Sequence, residues 1–544
     1  MSLTTISLED KYTLESGRVY LTGIQALVRL PLLQRARDKA AGLNTGGFIS
    51  GYRGSPLGGY DMALHGARKF LEANNIHFNP GLNEDLAATS VWGSQQVSLF
   101  EGAKVDGVFG IWYGKGPGVD RCGDVLKHAN SAGTSPYGGV LAIMGDDHSA
   151  RSSTLAHQSE QVMAAAMIPI LSPATLQDYI DLGLLGFALS RFSGCWVGFK
   201  AVGQTVETSG SVEVGPMRPP IVIPSDFEMP PGGLSIRRPD GALEQEARLH
   251  GPRMAAVAAF ARANRLDRIV FDSPTPRLGI AASGKAWLDV REALDELGID
   301  EAASERLGIR LYKIGMVWPL EAEGIRGFAR GLQEILVVEE KRGFIEDQIA
   351  RILFNAPERP RLIGKRDEAG QVLLPSESEL SPVMVARVIA EWLLRIDPDN
   401  AIIRQRLARM KELEARFNAL PPLLTRPPFF CSGCPHNTST RVPEGSRAMG
   451  GIGCHALAIF MPDRRTDLWS HMGGEGAAWI GQAPFTSAPH IFQNLGDGTY
   501  SHSGLLAIRA AAAAGVNITY KILFNDAVAM TGGQAVEGGL TVPE

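Results

Sequence analysis

The chain has 544 residues with 58 acidic and 53 basic side chains, a formal net charge of -5, and room for roughly three or four domains. That balance offers no basic stripe for nucleic acid, and no apolar run approaches the ~20 residues of a membrane span. Five cysteines are too few for a disulfide framework, and the opening, Met1 to Arg18, is polar and acidic rather than a secretion signal, so a cytoplasmic location and a small-molecule partner are expected.

From Arg18 to about Lys200, strand-like runs at 47–51, 105–113, 140–144, 168–171 and 196–199 alternate with amphipathic helical stretches. This is the pattern of a parallel sheet covered by helices on both faces. Prolines 216, 219, 220, 224, 230, 231 and 239 then crowd into a connector over 206–240. A second α/β unit over 241–400 has expected strands at 278–282, 309–314 and 335–339 and helices at 286–297, 321–332 and 344–354. A charged helix over 401–420 meets Pro421, Pro422, Pro427 and Pro428, which break it, so that 401–428 is helix and linker and a third domain occupies 429–544. The expected fold class is α/β: three domains, 1–205, 241–400 and 429–544, built on doubly wound parallel sheets.

In such sheets ligands collect at the carboxyl ends of the strands. The loop Gly51-Tyr52-Arg53-Gly54-Ser55-Pro56-Leu57-Gly58-Gly59 lies there, and Lys115-Gly116-Pro117-Gly118 follows the strand ending at Tyr113. Their glycines alone would make turns. Asn83-Glu84 precedes a helix-like run over 85–103, where an acid is either favoured by the helix dipole or a working carboxylate. In Gly145-Asp146-Asp147-His148-Ser149-Ala150-Arg151-Ser152-Ser153 two adjacent carboxylates and a histidine allow a metal site, but consecutive side chains point apart, which favours a surface or domain-contact loop.

The third domain is denser in chemistry. Cys431 and Cys434 lie on a turn with two residues between them, and Cys454 follows in Gly450-Gly451-Ile452-Gly453-Cys454-His455. Three thiolates can grip one centre: zinc would take His455 or His436 as a fourth ligand, whereas an iron-sulfur cluster would need a fourth thiolate that is not nearby. Cys122 and Cys195 read as ordinary thiols. His471-Met472-Gly473-Gly474-Glu475-Gly476 is either a helix-entry turn or a set of backbone donors for a phosphate. Gly496-Asp497-Gly498 follows an expected strand, a helix is expected at 503–514 and another strand at 518–524, and Asn525-Asp526 comes 26 residues after the triplet. Thr531-Gly532-Gly533-Gln534 closes the motif. Asp497 and Asn525 supply oxygens for a hard cation, Ala527 can add a carbonyl, and the glycines let backbone approach a diphosphate.

This last pattern resembles the thiamine diphosphate signature, and its Thr531 to Gln534 tail resembles the 2-oxoacid:ferredoxin oxidoreductases. Cys-x-Gly-Cys-Pro-His followed by Gly-x-Ile-Gly-Cys is similar to the indolepyruvate-type members of that family, in their long fused form, and the resemblance covers nearly the whole chain. It implies thiamine diphosphate held by Gly473, Gly496, Asp497, Gly498, Asn525 and Thr531, with Mg²⁺ on Asp497, Asn525 and Ala527. It further implies a [4Fe-4S] cluster on Cys431, Cys434 and Cys454, with its fourth cysteine beyond residue 544. Glu84 would be the activating glutamate that bonds N1′ of the aminopyrimidine, and Arg53, Ser55 and Lys115 would face the substrate. The implied reaction is oxidative decarboxylation of a 2-oxoacid, an aryl pyruvate such as indolepyruvate, with coenzyme A and ferredoxin as partners, in a homodimer. On the same expectation the end at Pro543-Glu544 truncates the third domain. The alternatives are a non-oxidative decarboxylase or ligase, and a non-catalytic binding subunit.

Overall fold

The computed structural model describes residues 6–421, 424, 426–539 and 541; residues 1–5, Pro422, Pro543 and Glu544 lie outside them. The chain divides into two compact units, Met1–Asn79 with Glu84–Leu420, and Pro80–Asn83 with Pro421–Glu544.

The first unit carries β1 (Gly17–Thr22), β2 (Thr45–Gly51), β3 (Ile76–Phe78), β4 (Gly107–Lys115), β5 (Val140–Asp146), β6 (Ile170–Leu171), β7 (Val197–Val202), β8 (Ser209–Val214), β9 (Arg268–Phe271), β10 (Leu278–Ser283), β11 (Ile309–Ile314), β12 (Met316–Trp318), β13 (Glu334–Val338) and β14 (Arg361–Ile363). Seven of them form one sheet in the order β12-β6-β7-β5-β4-β2-β3, parallel except for β12. β5 and β7 are buried along their whole length, as expected of strands covered on both faces. Two long helices pack against each other over this sheet. Gly23–Ala40 starts on a reciprocal cap between Thr22 and Gln25, and Leu176–Ser193 starts on the same device between Thr175 and Asp178. Five strands make a second sheet, β14-β13-β10-β11-β9, parallel except for β9.

Three features depart from expectation. The proline-rich connector includes β8, which pairs antiparallel with β1 along its full length. The helices Ala242–Arg248 and Met254–Ala263, expected to open the second domain, pack into the first core: Val257, Phe260 and Ala261 join it, and buried Arg253 donates to the carbonyls of Asn130, Ser131 and Ala132 at the end of helix Gly123–Ala132. A guanidinium there satisfies carbonyls that the helix cannot. Finally β12, from the second half, joins the first sheet beside β6.

The second unit has one parallel sheet of β15 (Ala448–Gly450), β16 (Thr466–Trp469), β17 (Ile491–Gly496) and β18 (Ile518–Leu523) in the order β16-β15-β17-β18. Gly496 pairs with Leu523, which brings the ends of β17 and β18 level. No helix among the described residues is long and apolar enough to cross a membrane.

Candidate functional site

In the first unit, β2 and β4 lie side by side, and the loops that follow them meet. Tyr52 N–H donates to Tyr113 O at 3.0 Å, and a Cβ on Gly54 would come within 3.0 Å of Lys115 Cβ, so the Arg53 to Ser55 turn rests on the Lys115 stem. Arg53 is buried and faces Asp61 at 3.9 Å, while Tyr113 donates its hydroxyl to the other Asp61 oxygen at 2.8 Å. Burial pushes the Tyr52 hydroxyl up to about 12, with Arg53, Glu84 and Asp61 among the charges that act on it. Lys115 donates to Ser152 O, and burial pulls its ammonium down against the pull of Asp147.

Glu84 itself opens a helix, Glu84–Ser94, shorter than the expected 85–103; Val97–Leu99 follows as a single 3₁₀ turn. The Ser94 hydroxyl turns back to Val91 O, and the amide of Gln95 leaves the helix for Val108 O, ending it. The buried Glu84 side chain lies over Gly118: a Cβ there would sit 2.6 Å from Glu84 Cγ and 2.8 Å from Oε1. Trp112 Nε1 donates to Glu84 O at 2.9 Å and fixes the helix start. Arg53, Ser55, Lys115 and Glu84 thus gather at the carboxyl ends of β2 and β4.

The acidic loop after β5 is internally spent. Asp146 accepts from Ser159, Asp147 from the N–H groups of Arg151 and Ser152 and the Ser153 hydroxyl, and His148 lies buried 4.0 Å from Glu340. Burial, and then the lysines 200, 341, 285 and 365, push its imidazole well down. Among the described residues no three His, Cys, Asp or Glu side chains converge tightly enough to hold a single metal ion. Cys122 and Cys195 are fully buried, with thiols pushed up by burial.

In the second unit the Gly-Asp-Gly and Asn-Asp loops are joined through one carboxylate. Asp497 Oδ2 accepts from Asn525 N–H at 2.9 Å and Asp526 N–H at 2.6 Å, and Oδ1 from Gly498 N–H at 2.9 Å. Asn525 Oδ1 accepts from Ala527 N–H at 3.2 Å, so Asp497, Asn525 and Ala527 share one corner. Hard oxygen donors on two level strand ends fit Mg²⁺ and a diphosphate. Beyond them Thr531 Oγ1 donates to Gln534 Oε1 at 3.0 Å, and Val528 N–H to Gln534 O at 2.8 Å, which closes the glycine tail on itself.

Cys434 N–H donates to Cys431 O at 3.0 Å around Gly433, which has the left-handed φ of 76°, and the Asn437 amide reaches both cysteine carbonyls. The Cys454 thiol is pushed up by burial and then by the nearby Cys434 and Cys431, yet among the described residues the three sulfurs do not converge tightly enough to hold a single metal ion. The two histidines considered as zinc ligands turn inward: His455 is buried against Gly453 and Gly496 and held down at about 4, and His436 packs edge-on to Phe430.

Gly473 differs from its expected role. Its N–H donates to Glu475 Oε2 at 2.7 Å, so it can offer a diphosphate close approach but not that donor. Glu475 is the residue that sequence reasoning missed: it is fully buried, and Oε1 also accepts from Ile452 N–H at 3.3 Å. Burial pushes its carboxyl up to about 7. Its partners are backbone amides, which leave no mark in a motif.

A family model described as "Indolepyruvate oxidoreductase domain" matches residues 268–416. A curated relative, indolepyruvate oxidoreductase subunit IorA of Methanothermobacter marburgensis, is 26% identical over 539 residues, 96% of this chain and 77% of that subunit. The same subunit of Methanothermobacter thermautotrophicus is 24% identical over 552 residues, 98% of this chain and 79% of its own. Among solved structures, the 2-oxoglutarate:ferredoxin oxidoreductase of Magnetococcus marinus superposes with a TM-score of 0.50 at 14% identity, covering 69% of this chain and 65% of that one, a likeness of fold.

Proposed function

We propose that the chain is an indolepyruvate oxidoreductase-type enzyme that oxidatively decarboxylates a 2-oxoacid with thiamine diphosphate and passes the electrons to an iron-sulfur cluster. The substrate is an aryl pyruvate, of which indolepyruvate is the type. It reacts with coenzyme A and two oxidised ferredoxins to give acyl-coenzyme A, CO₂, one proton and two reduced ferredoxins. Thiamine diphosphate supplies the electron sink for the departing CO₂.

The observation that carries this reading is the Asp497 carboxylate, which binds the backbone of the neighbouring strand's loop and so sets Asp497 beside Asn525, the pair that would hold Mg²⁺ and the diphosphate. Gly496, Gly498, Asn525 and Thr531 flank it, and Ala527 offers its carbonyl. Glu84 holds or releases the proton at the aminopyrimidine N1′, in a pocket where burial strengthens the bond. Arg53 meets the carboxylate of the 2-oxoacid, with Ser55 and Lys115 beside it. Cys431, Cys434 and Cys454 are three ligands of a [4Fe-4S] cluster. The relatives are named as subunits, which favours assembly with a second kind of chain over the homodimer expected from the resemblance. A cytoplasmic location follows from the ferredoxin partner.

One observation favours a second reading. The only other cysteines, Cys122 and Cys195, are buried in the core regions of the first unit, so the described residues hold no fourth thiolate for the cluster, and a non-oxidative thiamine enzyme needs none. Iron, acid-labile sulfide and zinc measured on anaerobically purified protein decide between them: about four iron and four sulfide per chain support the oxidoreductase, while zinc or no metal supports the second reading.

A further inference from the structure

The two glycine-rich loops of the second unit are tied by a single side chain. Glu475 receives Gly473 N–H on Oε2 at 2.7 Å and Ile452 N–H on Oε1 at 3.3 Å, while its own carbonyl accepts the Tyr520 hydroxyl at 3.0 Å. No side chain fits at Gly451 of the opposite loop, since a Cβ there would lie 2.2 Å from Glu475 Cγ. Ile452 is gripped from its other side too, because the Thr499 hydroxyl donates to Ile452 O at 2.9 Å, and Thr499 directly follows Gly496-Asp497-Gly498. Cys454 lies two residues past Ile452.

We infer that Glu475 is a positioning residue that locks the loop bearing Cys454 to the loop bearing Gly473, and so fixes the spacing between the cysteine-held redox centre and the thiamine diphosphate. This rests on the function proposed above. Hydrogen bonds that a buried carboxyl group accepts from backbone amides of two loops hold those loops in register, and a site built on such supports keeps its geometry to a fraction of an ångström. A carboxylate suits the task because both of its oxygens accept, and both loops present N–H groups.

The test uses the full chain with its co-purifying subunit, handled anaerobically. Glu475→Gln keeps the size of the side chain but turns one acceptor into a donor aimed at an N–H. The expected result is unchanged iron and sulfide, about tenfold faster amide exchange over 452–454 from the loss of a buried hydrogen bond, an altered electron paramagnetic resonance signal of the reduced cluster, and fewer electrons delivered to ferredoxin per CO₂ released. Thr499→Val, which loosens Ile452 from its other side, is expected to move the same readouts by less, and it carries the test if Glu475→Gln does not fold. Wild-type exchange and an unaltered resonance signal in a variant with full iron content would overturn the inference. Absence of iron from the wild-type protein would overturn the proposed function and this inference together, and that measurement precedes the variants.

Discussion

The two candidate corners hold their carboxylates in opposite ways. Around Glu84 the described neighbours come from strands and loops: Trp112 bonded to its backbone carbonyl, Tyr52 within electrostatic reach, and the bare backbone of Gly118 where a methyl group would strike the side chain. Around Asp497 and Glu475 the partners are backbone amides from glycine-rich loops. Side chains can be tuned one by one, which suits a group that exchanges a proton. Backbone amides give fixed donors, which suits a carboxylate that orients loops, as the proposed diphosphate corner requires.

If that contrast holds, substitutions in the two corners should fail differently. The largest effect is expected for Glu84→Gln, which should keep thiamine diphosphate affinity while slowing exchange of the cofactor C2 proton by about 10²–10⁴-fold; exchange at the wild-type rate, followed by NMR, would remove Glu84 from that role. Asp497→Ala should do the reverse, weakening Mg²⁺-dependent cofactor binding. It strands the amides of Asn525 and Asp526, a loss of about 2 to 3 kcal/mol, or roughly a hundredfold in affinity. Undiminished affinity in a cofactor titration would contradict the assignment.

A smaller effect is written in pH. The Glu475 carboxyl is pushed up to about 7 by burial, above its value in the unfolded chain. The folded state therefore keeps the proton longer, and this contribution to stability is complete below the unfolded value near 4.5 and is lost as pH rises through 7, by about 3 kcal/mol. Asp267 and Glu339 in the first unit, also raised to about 7 by burial, contribute with the same sign. Amide exchange in β17, compared at pH 5 and pH 8, should therefore show a pH-dependent loss of protection that Glu475→Gln flattens and that substitutions at Asp267 leave alone. The smallest effect sharpens the other side of the comparison. Gly118→Ala should displace the Glu84 carboxylate and reduce C2 proton exchange about tenfold, since small misplacements of a catalytic group are costly, with cofactor affinity unchanged; wild-type exchange would show that Glu84 tolerates the shift.

The central strands were legible where they are continuous apolar runs: Val140–Asp146 and Ile309–Ile314, buried along their length, fall within two residues of expectation, as does the more exposed edge strand Ile518–Leu523, whereas short strands such as β3, β9, β14, β15 and β16 were not foreseen. The Asp497 to Asn525 pairing was legible too, since strand, helix and strand fix how far apart the two loops fall in sequence. What escaped were features decided by tertiary partners. Helix Met254–Ala263 is apolar enough to suit either core, and its packing through Val257 and Phe260, with the reach of Arg253 to the end of helix Gly123–Ala132, assigns it to the first. The early end of the Glu84 helix depends on Gln95 finding Val108 O, a contact no periodicity encodes. Glu475 escaped because a carboxylate that serves two backbone amides is indistinguishable in sequence from an ordinary acid in a turn.

The short strand β12 has a consequence for anyone who would divide this protein. It belongs by sequence to the second half of the first unit yet completes the sheet of the first half, edge to edge with β6. A gene cut within the proline-rich stretch would give one fragment with an uncovered strand edge and another with an orphaned strand, each inviting the wrong neighbour. Expressed together, such halves should find each other and re-form the sheet; expressed alone, each should aggregate.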